Sequence, residues 1–192
     1  LFDGTVNVNL GTTRIYGMIL KEFCAAEPPC NELKPFQNPD LPVYVNGLRT
    51  GFDGIACVGC QINNAENMIS GSTTQPATIV IAAAVGSKAS VSVADAIGSY
   101  PVGSFAGFDI ESAALLSADV AGRMTIDLYN DGVLVHSGAA SSLLVGAGTS
   151  LLTGGPNRQI VGIVSPVVFD EIQLNIENLI GANLGNILVY KA

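Results

Sequence analysis

The feature that most constrains this chain is two-residue alternation of apolar and polar side chains. In Phe169 to Ile176, Ile172, Leu174 and Ile176 fall on one side and Glu171, Gln173 and Asn175 on the other, which is the period of a pleated strand. In Arg123 to Tyr129, Met124, Ile126 and Leu128 oppose Arg123, Thr125 and Asp127, and Asn130-Asp131-Gly132 then leads into Val133 to His136. Asp-Gly supplies the positive φ angles of a tight turn, so this segment reads as a hairpin. Further strands are expected at Thr5 to Leu10, Arg14 to Leu20, Thr78 to Val85, Ala89 to Ala94, Phe105 to Ser112, Arg158 to Val164 and Asn186 to Lys191. Short strands at this spacing, with no sustained 3.6-residue period, predict an all-β chain folded as an antiparallel β-sandwich, jelly-roll-like. Ser112 to Ala121 and Glu177 to Leu184 read as single helical turns in crossovers.

A chain of 192 residues is long enough to bury one substantial core. Its composition shifts near residue 50, because Pro28, Pro29, Pro35, Pro39 and Pro42 cluster ahead of that point with Cys24 and Cys30. The expected organisation is therefore residues 1–50 as N-terminal strands with a loop-rich, cysteine-containing segment packed on the main domain, and residues 51–192 as the sandwich.

Charge narrows the partners. Asp and Glu outnumber Lys and Arg by 16 to 8, and beyond Gly51 the basic residues are Lys88, Arg123, Arg158 and Lys191. These form no phosphate-tracking stripe, so neither nucleic acid nor an anionic membrane surface is an expected partner. The charge-free intervals Asn67 to Ser87 and Gly132 to Asn157 are broken by Gly, Ser, Thr or Pro. Neither offers the ~20 apolar residues of a spanning helix, and no membrane insertion is expected. Leu1 opens without a basic or apolar leader, so no N-terminal targeting sequence is read.

Cys24, Cys30, Cys57 and Cys60 are disulfide candidates, with zinc or redox chemistry as alternatives. A Lys-poor, Gly-rich and Ser-rich chain fits a secreted or cell-surface location, where disulfides persist. Pairing Cys24 with Cys30 and Cys57 with Cys60 is the simplest of three connectivities, and the crossed ones stay open.

No catalytic constellation is recognised. The single histidine, His136, reads as an ordinary strand residue, and there is no Gly-x-Ser-x-Gly elbow. Asp109 with Glu111 shares a strand face, which reads as solvated, and Asp170 with Glu171 points to opposite faces. With no Trp, few platforms exist for sugar stacking. Gly146-Ala147-Gly148 and Gly154-Gly155-Pro156 read as turns. Oxygen-bearing side chains gather at Asn63, Asn64, Glu66 and Asn67, with Asp3 and Asp53 near other domain entrances. Calcium is the cation they would suit, against their ordinary use in turns.

The stretch Asn63 to Gly71, continuing through Thr73-Thr74 to Ile79, resembles the lead-in of discoidin-like, galactose-binding-like jelly rolls. Tyr100-Pro101-Val102-Gly103-Ser104-Phe105-Ala106-Gly107-Phe108, Asn130-Asp131-Gly132, Phe169-Asp170-Glu171-Ile172 and Leu188-Val189-Tyr190 resemble, in order and spacing, secreted surface proteins of Bacteroidetes. This resemblance covers roughly residues 51–192. It implies a secreted β-sandwich module of an adhesin, a surface fibre or a type IX secretion substrate, and it implies no chemistry.

Two functions are expected from these readings. The first is a non-catalytic extracellular structural or adhesive surface protein, self-associating or packed on other protein subunits, with the sheet edges and the N-terminal segment as candidate pairing elements, although Thr5 to Leu10 reads first as a strand within its own sheet. The second is a calcium-assisted carbohydrate-binding module that takes glycans on Gln61 to Thr74.

Overall fold

The computed structural model describes residues 33–81, 83–111, 123–143, 158–177 and 185–192. The strands expected at Thr5 to Leu10 and Arg14 to Leu20, Cys24 and Cys30, Asp3, both glycine turns, the Ser112 to Ala121 turn and residues 178–184 lie outside them.

Twelve strands are described: β1 Val43–Val45, β2 Gly51–Val58, β3 Gln61–Asn63, β4 Ala77–Ile81, β5 Ala83–Asp95, β6 Phe105–Glu111, β7 Met124–Asn130, β8 Val133–Ala139, β9 Ser141–Leu143, β10 Arg158–Val164, β11 Glu171–Glu177 and β12 Gly185–Lys191. One 3₁₀ turn spans Ala65–Ile69. The first sheet runs β1-β5-β11-β7-β8, with β2 also paired to β5, and the second runs β3-β4-β12-β6-β10-β9. All pairings are antiparallel. Apart from the β7–β8 hairpin, the long strands from β4 to β12 alternate between the sheets, which is the connectivity of a jelly roll.

Alternation explains the core. Val91 and Val93 of β5, Ile172, Leu174 and Ile176 of β11, and Met124, Ile126 and Leu128 of β7 are buried on the inner face of the first sheet. Ile79 of β4, Phe108 and Ile110 of β6, Val161 of β10, and Ile187 and Val189 of β12 supply the second. Burying one such side chain stabilises the fold by about 1.5–3 kcal/mol.

Two expectations change. The apolar run Thr78 to Val85 is not one strand, because the chain leaves the second sheet at Ile81 and enters the first at Ala83. Residues 43–58 also contain strands despite the prolines ahead of them and the glycines among them, since β1 and β2 line up along the same side of β5.

Cys57 and Cys60 are disulfide-bonded, with Cα atoms 5.5 Å apart. Cys57 lies near the end of β2 and Cys60 immediately precedes β3, so the bridge fastens a corner where the chain passes from one sheet to the other. Gly59, with φ 72°, makes the turn between them without the steric cost a side chain would meet.

Candidate functional site

Each sheet carries an arginine–tyrosine–carboxylate cluster on its outer face. On the first, Asn46 opens a turn by accepting the Leu48 N–H on Oδ1 at 3.1 Å, which presents Arg49. Arg49 Nη1 donates to Glu171 Oε2 at 2.9 Å, Nη2 donates to the Gly132 carbonyl at 2.7 Å, and its Cζ lies 4.0 Å from the Tyr129 ring centre. Glu171 Oε1 accepts from Asn46 Nδ2 at 2.8 Å and Ser92 Oγ at 2.5 Å.

A polar ladder continues across the same face. Tyr129 donates to Gln173 Oε1 at 2.7 Å, Ser90 to Asn175 Oδ1 at 2.8 Å, and Asn175 Nδ2 to Asp127 Oδ2 at 2.7 Å. Ser137 donates to the other Asp127 oxygen at 2.5 Å. Glu171, Gln173 and Asn175 are all buried, although their alternation with Ile172, Leu174 and Ile176 puts them on the outer side. Their polar atoms are satisfied by neighbouring groups, Glu171 by Arg49, Asn46 and Ser92, Gln173 by Tyr129 and the Arg49 carbonyl, and Asn175 by Ser90 and Asp127, as burial requires.

On the second sheet Arg158 opens β10 and grips Asp109 of β6 with two bonds, Nε to Oδ1 at 2.9 Å and Nη2 to Oδ2 at 2.6 Å. Its Cζ stands 3.7 Å from the Tyr190 ring centre, and Tyr190 donates to Glu111 Oε2 at 2.8 Å. The Arg158 and Asp109 side chains are only 3% and 6% exposed. The hydrogen bond to Asp109 holds the Arg158 pKa above its ordinary value. Burial first, and then Glu111, push the Tyr190 hydroxyl up, while burial foremost does the same to Tyr129.

The reading of Asp109 with Glu111 as a solvated pair is thereby corrected. Asp109 is buried because Arg158 neutralises it, and Glu111 is engaged by Tyr190. Both Asp109 oxygens and both Glu171 oxygens are occupied, so these groups brace strands. Asp170 lies just ahead of β11 and accepts the Asp131 N–H on Oδ2 at 2.7 Å.

His136 pairs across from Leu128, and Ser137 from Asp127. Leu128 is in the core, so His136 faces inward while Ser137 and Asp127 meet on the outer face. The three are not brought together.

Of the oxygen-bearing candidates, Asn63 ends β3 and Asn64 adopts a left-handed conformation, φ 55°, to start the 3₁₀ turn. Asn67 Nδ2 donates to the Pro76 carbonyl at 3.3 Å, and the Asn67 carbonyl accepts the Ser70 N–H. Glu66 lies exposed in the first turn. Asn64 and Asn67 thus shape the chain's path at this corner. Among the described residues, no three His, Cys, Asp or Glu side chains gather to hold a metal ion, and no helix is long and apolar enough to cross a membrane.

An apolar end of the sandwich is the feature that the alternation pattern did not disclose. Leu48 is 97% exposed, Ile97 69%, Val102 62%, Val164 66% and Val168 45%. They sit on or beside three connections: β1–β2, β5–β6 and β10–β11. Hydrogen bonds link these connections to one another and to the β7–β8 turn. Gly103 donates to the Ser165 carbonyl, Ser165 to the Ser104 carbonyl, and Tyr100 exchanges two bonds with Phe169. Asp131 joins Asp170, and Arg49 joins Gly132. Below the surface, Tyr100 stacks between Phe36 and Phe169, with ring centres 4.8 and 5.4 Å away. Its hydroxyl donates to Asp95 Oδ2 at 2.7 Å.

A sequence signal for this surface does exist. Asn46-Gly47-Leu48, Ile97-Gly98 and Pro101-Val102-Gly103 each set a large apolar residue beside turn formers, where polar residues are the usual choice. No protein-family model, curated protein or solved structure matches the chain.

Proposed function

We propose that this protein is a non-catalytic structural module of an extracellular or cell-surface assembly, acting through contacts with other protein subunits. The observation that carries the reading is the apolar end. Five large aliphatic side chains stand in water on connections held by backbone and side-chain hydrogen bonds. Grouped apolar exposure of this kind marks interaction surfaces. The Cys57–Cys60 bridge supports an oxidising compartment. The engaged carboxylates of both clusters support a bracing role for them.

Electron microscopy of the native material with its surrounding subunits tests this reading, together with a Leu48→Asp/Val102→Asp double variant. The wild-type end is expected to be covered by a neighbouring protein, and the double variant is expected to fold but fail to join the assembly. Native particles that are isolated monomers, or full incorporation of the double variant, would overturn it.

A further inference from the structure

We infer that β8 is a self-pairing edge, through which two copies of this protein join by a two-fold antiparallel strand contact. The inference uses a surface different from the apolar end.

Exposed sheet edges invite pairing unless they are short, kinked or charged. Three of the four described edges have such protection. The second sheet ends in β3 and β9, each three residues long. The first sheet has β2 on one side, where Asp53 stands opposite Lys88 and the ladder is kinked by Gly54 and Gly86, at φ 123° and 59°. On its other side is β8, Val-Leu-Val-His-Ser-Gly-Ala, seven residues with no Asp, Glu, Lys, Arg or Pro. Among the described residues its strand neighbour is β7 alone. Val133, Leu134 and Val135 on it are 63%, 51% and 39% exposed.

The partner follows from the order of side-chain sizes. His136 is the midpoint of Val133–Ala139, the large residues precede it and the small ones follow. The register slip against β7 places Leu134 opposite Tyr129 and His136 opposite Leu128, leaving Val135 as the extra residue of a bulge. A second β8 laid antiparallel about His136, with the same bulge kept, sets Leu134 and Val135 against Ser137 and Val133 against Gly138. His136 meets its own copy. Large thus meets small at each step, a self-complementarity that defines a two-fold contact. The chain carries a net charge of −8, so contact between copies is favoured where no carboxylate is opposed, and β8 carries none.

Sedimentation equilibrium of the whole protein from micromolar to millimolar concentration tests the proposal. The native protein is expected to dimerise and stop at two. His136→Glu alone and His136→Lys alone are expected to remain monomeric, because each sets like charges face to face, and an equimolar mixture of the two is expected to restore the dimer. Amide exchange on the native protein gives an answer even if a variant fails to fold, since β8 amides should gain protection as concentration rises. A native protein that stays monomeric, grows beyond a dimer, or dimerises with β8 amides unprotected overturns the inference. So does a mixture of folded variants that fails to pair. Leu48→Asp/Val102→Asp should leave this dimer intact, so loss of the β8 contact and loss of the apolar-end contact are read separately.

Discussion

Asp109 and Arg158 show what a buried charge does in this sandwich. Each is nearly out of water and each neutralises the other, so removing one partner strands the second. Asp109→Ala is expected to lower stability by about 3–5 kcal/mol, and pairing it with Arg158→Met should recover most of that loss. Urea unfolding of the three proteins measures both effects. Tyr100 gives a pH dependence. Burial and the neighbouring Asp95 carboxylate hold its hydroxyl well above the usual tyrosine range, so above about pH 10 the unfolded chain releases a proton that the folded chain keeps. The unfolded state then binds fewer protons, and stability falls as pH rises. Tyr100's contribution is fully present below about pH 10 and is lost above it. Tyr100→Phe should flatten that alkaline fall, as chemical denaturation at successive pH values would show. The alternation in the sequence said which side of β6 Asp109 occupies. It could not say that Arg158, 49 positions later, would cover it, because strand pairing sets that meeting.

Between elements, the closest approach of β6 and β10 rests on Gly107 and Gly162, which sit opposite each other in the ladder. A Cβ on Gly107 would collide with the Val161 carbonyl oxygen, and one on Gly162 with the Ala106 carbonyl oxygen, while the Phe105 ring fills the space above both. Gly162→Ala is expected to cost about 1–3 kcal/mol through displaced backbone and ring, read as a lowered denaturation midpoint. Strands such as β7, β8 and β11 were legible because alternation and Asp-Gly are local signals. β1 and β2 were not, since β1 is only three residues long and follows a proline-rich stretch, β2 is interrupted by Gly54, and both lie along β5. The boundary between β4 and β5 was equally silent, because Thr78 to Val85 is apolar throughout and a chain that changes sheets there buries the same residues.

For the molecule as a whole, the sandwich class was readable from the number and spacing of alternating segments, and the joined connections at one end were not. Alternation tells which residues face inward but not which sheet receives them, so Leu48, Val102 and Val168 could not be placed on one surface before the topology was known. That topology also bears on how the chain acquires its shape. β11 lies inside the first sheet, between β5 and β7, and β12 lies inside the second, between β4 and β12's other neighbour β6. The middle of each sheet is therefore supplied by residues 171–191, which are synthesised after the strands they join. Until they arrive, β5 and β7 in one layer and β4 and β6 in the other have an empty place between them. Neither layer is continuous until β11 and β12 have paired, so completing the two sheets depends on contacts distant in sequence.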